Sequence, residues 1–123
     1  MRHRILYIED NPDNRMLIRR VLQAAGYEVI EAADGRAGLR QAADARPDLI
    51  LMDINLPEID GYELTARLKQ APSLNRIPII AVTANVMKGD REKTLAAGCD
   101  GYIQKPIDID LLPSQIERFL KKA

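Results

Sequence analysis

Short, unbroken apolar runs alternate along the chain with longer stretches in which apolar residues recur every three or four positions. Ile5-Leu6-Tyr7-Ile8, Leu49-Ile50-Leu51-Met52 and Ile79-Ile80-Ala81-Val82 are continuous runs. They predict strands covered on both faces, as in a parallel sheet. Glu28-Val29-Ile30-Glu31-Ala32 and Gly101-Tyr102-Ile103-Gln104 mix polar and small residues with apolar ones and predict strands nearer the sheet edges. Asn11-Pro12 predicts a helix N-cap followed by proline at the first helical position. Leu17, Ile18, Val21, Leu22 and Ala25 then fall on one helical face, and Gly26 ends the helix. A second helix is capped by Asp34, carries a weak stripe of Leu39, Ala42 and Ala43, and stops before Pro47. Leu64 and Leu68 mark a third helix after Gly61, and a fourth ends at Gly98 with only Leu95 and nearby alanines as apolar content. The last carries Leu112, Ile116, Phe119 and Leu120; its Pro113 belongs in the first turn, behind Asp108 or Asp110 as cap. Five strands alternating with five helices predict an α/β fold, a parallel sheet with helices on both faces joined by right-handed crossovers. No repeat, linker or low-complexity segment divides the chain, so residues 1–123 are expected to form one domain.

Composition narrows the function classes. The chain has 18 Lys plus Arg against 18 Asp plus Glu, a formal charge of zero, which argues against a nucleic-acid binder working through a basic face. There is no Trp and there are only five Phe and Tyr residues together, too few for a base-stacking platform. No apolar run approaches the roughly 20 residues of a membrane helix, so no membrane insertion is expected. Nothing after the basic start resembles a signal-peptide cleavage site. The single cysteine, Cys99, excludes an internal disulfide and points to a reducing compartment, the cytoplasm.

The candidate chemistry lies where strands end. In open α/β sheets ligands bind outside the carboxyl ends of the strands. The first strand ends in Glu9-Asp10, the third in Asp53, the fourth in Thr83-Ala84 and the fifth in Lys105-Pro106. A parallel sheet puts these ends on one rim, so three carboxylates, a hydroxyl and an ammonium converge. Crowded carboxylates repel one another and tend to hold protons; a hard divalent cation relieves this, and the ligand set suits Mg²⁺, with Mn²⁺ as the alternative. A carboxylate also serves as nucleophile to form an aspartyl phosphate. Singly, each residue has a plain reading: a polar helix cap, turn chemistry, a β-branched strand end, a solvated lysine. Their coincidence at the same end of four strands favours the chemical one.

The acidic pair Glu9-Asp10, the run Leu51-Met52-Asp53-Ile54-Asn55-Leu56-Pro57 with Asp60-Gly61 behind it, Val82-Thr83-Ala84, and Tyr102-Ile103-Gln104-Lys105-Pro106 resemble the receiver domain of two-component response regulators, over essentially the whole chain. The resemblance implies a flavodoxin-like, doubly wound sheet of strand order 2-1-3-4-5. It implies that Asp53 accepts a phosphoryl group from a histidine kinase or a histidine phosphotransfer protein. It assigns Mg²⁺ to the side chains of Asp10 and Asp53 and the backbone carbonyl of Asn55, with Glu9 acting through water where many relatives have Asp. Lys105 pairs with Asp53 and then with the phosphoryl oxygens; Thr83 turns inward to the phosphoryl group; Ala84 leaves room for it; Lys105-Pro106 is a cis peptide. Tyr102 follows Thr83 as a switch residue and reshapes a face that meets an unknown downstream protein. Asn55 and Asn85 tune self-dephosphorylation. Met87-Lys88-Gly89-Asp90 resembles a stretch of stand-alone and hybrid-kinase receivers, and these two settings stay open.

Three other readings compete. A Mg²⁺-dependent aspartyl-phosphate phosphatase wants a second acid two residues after the nucleophile, where this chain has Asn55. A flavodoxin-like cofactor carrier wants a phosphate-binding first loop, but Glu9-Asp10-Asn11-Pro12-Asp13 is acidic. A degenerate receiver serving only for docking lacks one of Asp10, Asp53, Thr83 or Lys105, and all four are present. The expected activity is therefore a signalling switch rather than an enzyme. His3 is expected in solvent and Cys99 as a small packed residue.

Overall fold

The computed structural model describes residues 2–54, 56, 59, 61–83 and 90–122, with backbone only at 90, 91 and 122. The chain alternates β1 (Arg4–Ile8), α1 (Pro12–Ala24), β2 (Glu28–Ala32), α2 (Gly35–Ala45), β3 (Leu49–Asp53), α3 (Gly61–Gln70), β4 (Ile79–Thr83), α4 (Asp90–Ala96), β5 (Gly101–Gln104) and α5 (Leu112–Lys122). All strand pairs are parallel, in the order β2-β1-β3-β4-β5. This is the doubly wound, flavodoxin-like sheet that the resemblance implied.

The period of two along each strand splits the apolar residues between two cores. Leu6, Ile8, Ile50, Met52, Ile79 and Ala81 face one side, with Leu64 and Leu68 of α3. Ile5, Tyr7, Leu49, Leu51, Ile80 and Val82 face the other, with Ile18 and Leu22 of α1 and Leu112 and Ile116 of α5. β3 and β4 are buried along their whole length, and β2 and β5 lie at the edges.

The helix ends follow local chemistry. Asn11 Oδ1 accepts from the N–H groups of Asp13 and Asn14, with Pro12 in the first turn. Asp34 Oδ1 accepts from Ala37 N. Pro113 sits at the second position of α5, where its missing N–H costs no intrahelical bond. Of the two expected caps, Asp108 turns the chain into α5 by accepting from Asp110 and Leu111 N–H.

The apolar stripes need correction. Leu17 is 47% exposed and Ala25 is also exposed, because α1 rests on the narrow Ile18–Leu22 line. Ala43 is exposed too; α2 approaches the sheet instead through Gly35, Gly38 and Ala42. In α4, Leu95 is exposed and Thr94 is buried. His3 is exposed and Cys99 buried, as expected.

Gly61 opens α3 directly over the segment after β3. Its N–H bonds Ile54 O at 2.9 Å, and a Cβ there would lie 2.7 Å from Ile54 Cα. Backbone yields poorly to such a clash, so Gly61→Ala should lower stability by about 1–3 kcal/mol. The midpoint of urea unfolding should fall accordingly; an unchanged midpoint would show that the segment shifts freely.

The sheet's amino-terminal rim is tied by charge. Arg4 N–H donates to Asp48 Oδ2 at 2.7 Å, and Lys69 Nζ reaches Asp100 Oδ2 at 3.1 Å. Beside this rim, Arg2, His3, Tyr27, Glu117 and Lys121 surround a hollow.

Candidate functional site

At the carboxyl rim, ladder hydrogen bonds continue one step past the strands and hold the polar residues. Glu9 N–H donates to Ala32 O (2.9 Å), Ile54 N–H to Val82 O (3.0 Å) and Lys105 N–H to Thr83 O (2.7 Å). The backbone at Glu9, Ile54 and Lys105 is therefore held to the neighbouring strand beyond the end of the ladder. Carboxylate oxygens of Glu9, Asp10 and Asp53 all lie within 4.8 Å of one another. Lys105 Nζ donates to Asp53 Oδ2 at 3.0 Å and lies 3.8 Å from Glu9 Oε1. Glu9, Asp53 and Thr83 are buried, Lys105 is half-buried and Asp10 is exposed.

Among the described residues, three acids gather around the one ammonium of Lys105, a net negative, partly dehydrated cluster. Burial first, and then the adjoining Asp53 carboxylate, push the Glu9 carboxyl up to about 7, against the Asn14 amide that favours its charged form. Burial lowers the Lys105 ammonium, but Asp53 and then Glu9 and Asp10 outweigh it, so its pKa is raised. Tyr7, beneath the cluster, is raised by burial and by Glu9 and Asp53. Among the described residues, none gives the buried Glu9 Oε2 a hydrogen bond.

The Glu9 shift has a direct consequence. Between its ordinary value of 4.5 and about 7, the folded protein holds a proton that the unfolded chain has lost. Its contribution to stability is therefore complete below 4.5 and disappears as pH rises through about 7. In EDTA, the urea midpoint of wild type should drop from pH 5 to pH 8 more than that of Glu9→Gln. Parallel curves for the two proteins would contradict the shift.

The structure brings Glu9, Asp10, Asp53, Thr83 and Lys105 to one rim, as expected from the strand ends. Lys105–Pro106 is cis. Tyr102 is half-buried and packs against the core that contains Met52 and Ala81. Asn55, Ala84, Asn85 and the stretch 87–89 lie outside the described residues. Two groups escaped the sequence reading. Asn14 Nδ2 donates to Glu9 Oε1 at 2.7 Å, and Arg15 Nη1 donates to Glu9 O at 2.8 Å. Their signal was position: the first turn of a helix that starts beside the site.

A doubly wound sheet with carboxylates and a lysine at this rim defines a phosphoacceptor signalling domain, and the family is shown directly. The family described as "Response regulator receiver domain" matches residues 5–117, and the chain belongs to it. It is similar to the polar-differentiation response regulator DivK of Brucella anthropi, with 45% identity over 119 residues, 97% of each chain. A putative response regulator from Chloroflexus aurantiacus superposes with a TM-score of 0.93 at 32% identity, over 98% of this chain and 99% of that one. The receiver domain of a Pseudomonas aeruginosa sensor histidine kinase, solved with a magnesium ion coordinated in its active-site cleft, gives a TM-score of 0.84 at 40% identity, over 99% and 97%. The chain is thus a receiver of two-component signalling. Among the described residues, no helix is long and apolar enough to cross a membrane.

Proposed function

We propose that residues 1–123 form one cytoplasmic receiver whose Asp53 takes a phosphoryl group from a phosphohistidine on a histidine kinase or histidine phosphotransfer protein. The observation that carries this reading is Asp53 itself: a buried carboxylate at a strand end, bonded to Lys105 at 3.0 Å and clustered with two more acids. The buried Glu9 Oε2, without a hydrogen-bond partner among the described residues, and the crowded carboxylates fit a hard divalent cation. Asp10 and Asp53 would hold it directly and Glu9 from one layer out. When bound, Mg²⁺ (or Mn²⁺) supplies the positive charge that lets these acids meet phosphoryl oxygens.

The chain's own residues do the rest. An Asp53 oxygen forms the bond to phosphorus while the donor's P–N bond breaks, and that electron pair stays on the imidazole nitrogen. Lys105 already lies on Asp53 and follows the charge onto a phosphoryl oxygen. Thr83 offers its hydroxyl from the next strand. Ala81 pairs with Tyr102 across β4 and β5, so Thr83, two residues on, falls on the same sheet face as Tyr102. A Thr83 shift toward the phosphoryl group thus opens space beside Tyr102, and the changed face is read by a downstream protein. The protein acts as a switch that carries the phosphoryl group on itself.

The test is intact mass after incubation with phosphoramidate. Wild type should gain one phosphoryl group with Mg²⁺ and none in EDTA. Equal labelling under both conditions, or none under either, would remove this reading.

A further inference from the structure

The amide of Asn14 is the feature that the phosphoacceptor reading does not use. Glu9 is 1% exposed, and its Oε1 accepts from Asn14 Nδ2 at 2.7 Å and lies at the longer 3.8 Å from Lys105 Nζ. Oε2 is buried and has no hydrogen-bond partner among the described residues. A glutamate has one more rotatable bond than an aspartate, so its carboxylate needs an external hold to keep one geometry. Asn14 supplies that hold from a rigid base. The Asn11 cap fixes the first turn of α1 through Asp13 and Asn14 N–H, and Arg15 on the same turn bonds the Glu9 carbonyl. Asn14 therefore grips the side chain and Arg15 the backbone of one residue.

We infer that Asn14 is a positioning residue for the divalent-cation site: its side-chain amide holds the long Glu9 carboxylate so that the unpartnered oxygen stays directed at the cluster. This inference rests on the proposed Mg²⁺ site and adds a residue to it.

The experiment is a double-mutant cycle on Mn²⁺ binding, read by the loss of free-ion electron paramagnetic resonance signal, with Mg²⁺ as competitor. Removing a group that orients a metal-site residue lowers metal affinity by about tenfold or more. Asn14→Ala should therefore weaken Mn²⁺ binding by about tenfold in the wild-type background. In Glu9→Asp, whose carboxylate is one methylene too short to meet the amide, the same change should alter affinity less than about twofold. Asn14→Ser, which keeps a small polar group at the helix start, should behave like Asn14→Ala and serves if the alanine variant is poorly folded. Wild-type affinity in both Asn14 variants, or equal losses with Glu9 and with Asp at position 9, would overturn the inference. A wild-type protein that binds no Mn²⁺ would instead remove the metal site itself.

Discussion

Asp53→Asn is expected to abolish phosphoryl labelling while making the metal-free protein harder to unfold. The first effect follows from chemistry: a carboxamide is a far weaker nucleophile than a carboxylate, and Glu9 and Asp10 sit at the ends of other elements. The second follows from charge. The cluster holds three acids within 4.8 Å of one another and one ammonium beside Asp53. Neutralising the buried Asp53 removes repulsion with Glu9 and Asp10, and the new amide oxygen still accepts from Lys105. Urea midpoints in EDTA at pH 8 should therefore rise in the variant, and the added stability that Mg²⁺ gives wild type should shrink. Mass spectrometry that finds the variant labelled as fully as wild type would assign the acceptor elsewhere. A lower midpoint in EDTA would show that the ion pair outweighs the repulsion.

Lys105→Met should produce the second largest change, with the opposite sign on stability. It leaves the three acids without their nearby cation, and a buried charge stripped of its partner is costly. The metal-free variant should unfold at lower urea than wild type at pH 8, and added Mg²⁺ should recover much of the loss. Labelling by phosphoramidate should slow on the order of 10²–10³-fold, the usual cost of removing one donor aimed at developing charge. Single-turnover labelling followed by mass measures this. A rate within a factor of about two of wild type would show that Lys105 stabilises the resting cluster only.

The sheet and the site's members were legible because both depend on rules of short range. Continuous runs such as Leu49 to Met52 mark strands covered on both faces, and in a parallel sheet every following residue falls on one rim. Asp53, Thr83 and Lys105 could be grouped on that basis alone. What stayed hidden depends on side-chain direction in the folded state. Leu17 fits an apolar stripe but lies just off the line along which α1 touches the sheet. Gly38 reads as helix-weakening, yet it lets α2 come close to Ile8, where a Cβ would lie 2.5 Å from Cδ1. Asn14 reads as an ordinary polar helix residue; only the reach of Glu9 across the loop gives it a role.

The hollow ringed by Arg2, His3, Glu117 and Lys121 has a practical meaning for tethering. It brings the first described residues and the end of the last helix side by side, on the pole opposite the acidic rim. A fluorescent tag, an affinity handle or a second domain joined at either terminus would therefore hang from the far end, leaving the cleft open to an incoming partner. A short bridge between the two ends would suit circular permutation for the same reason.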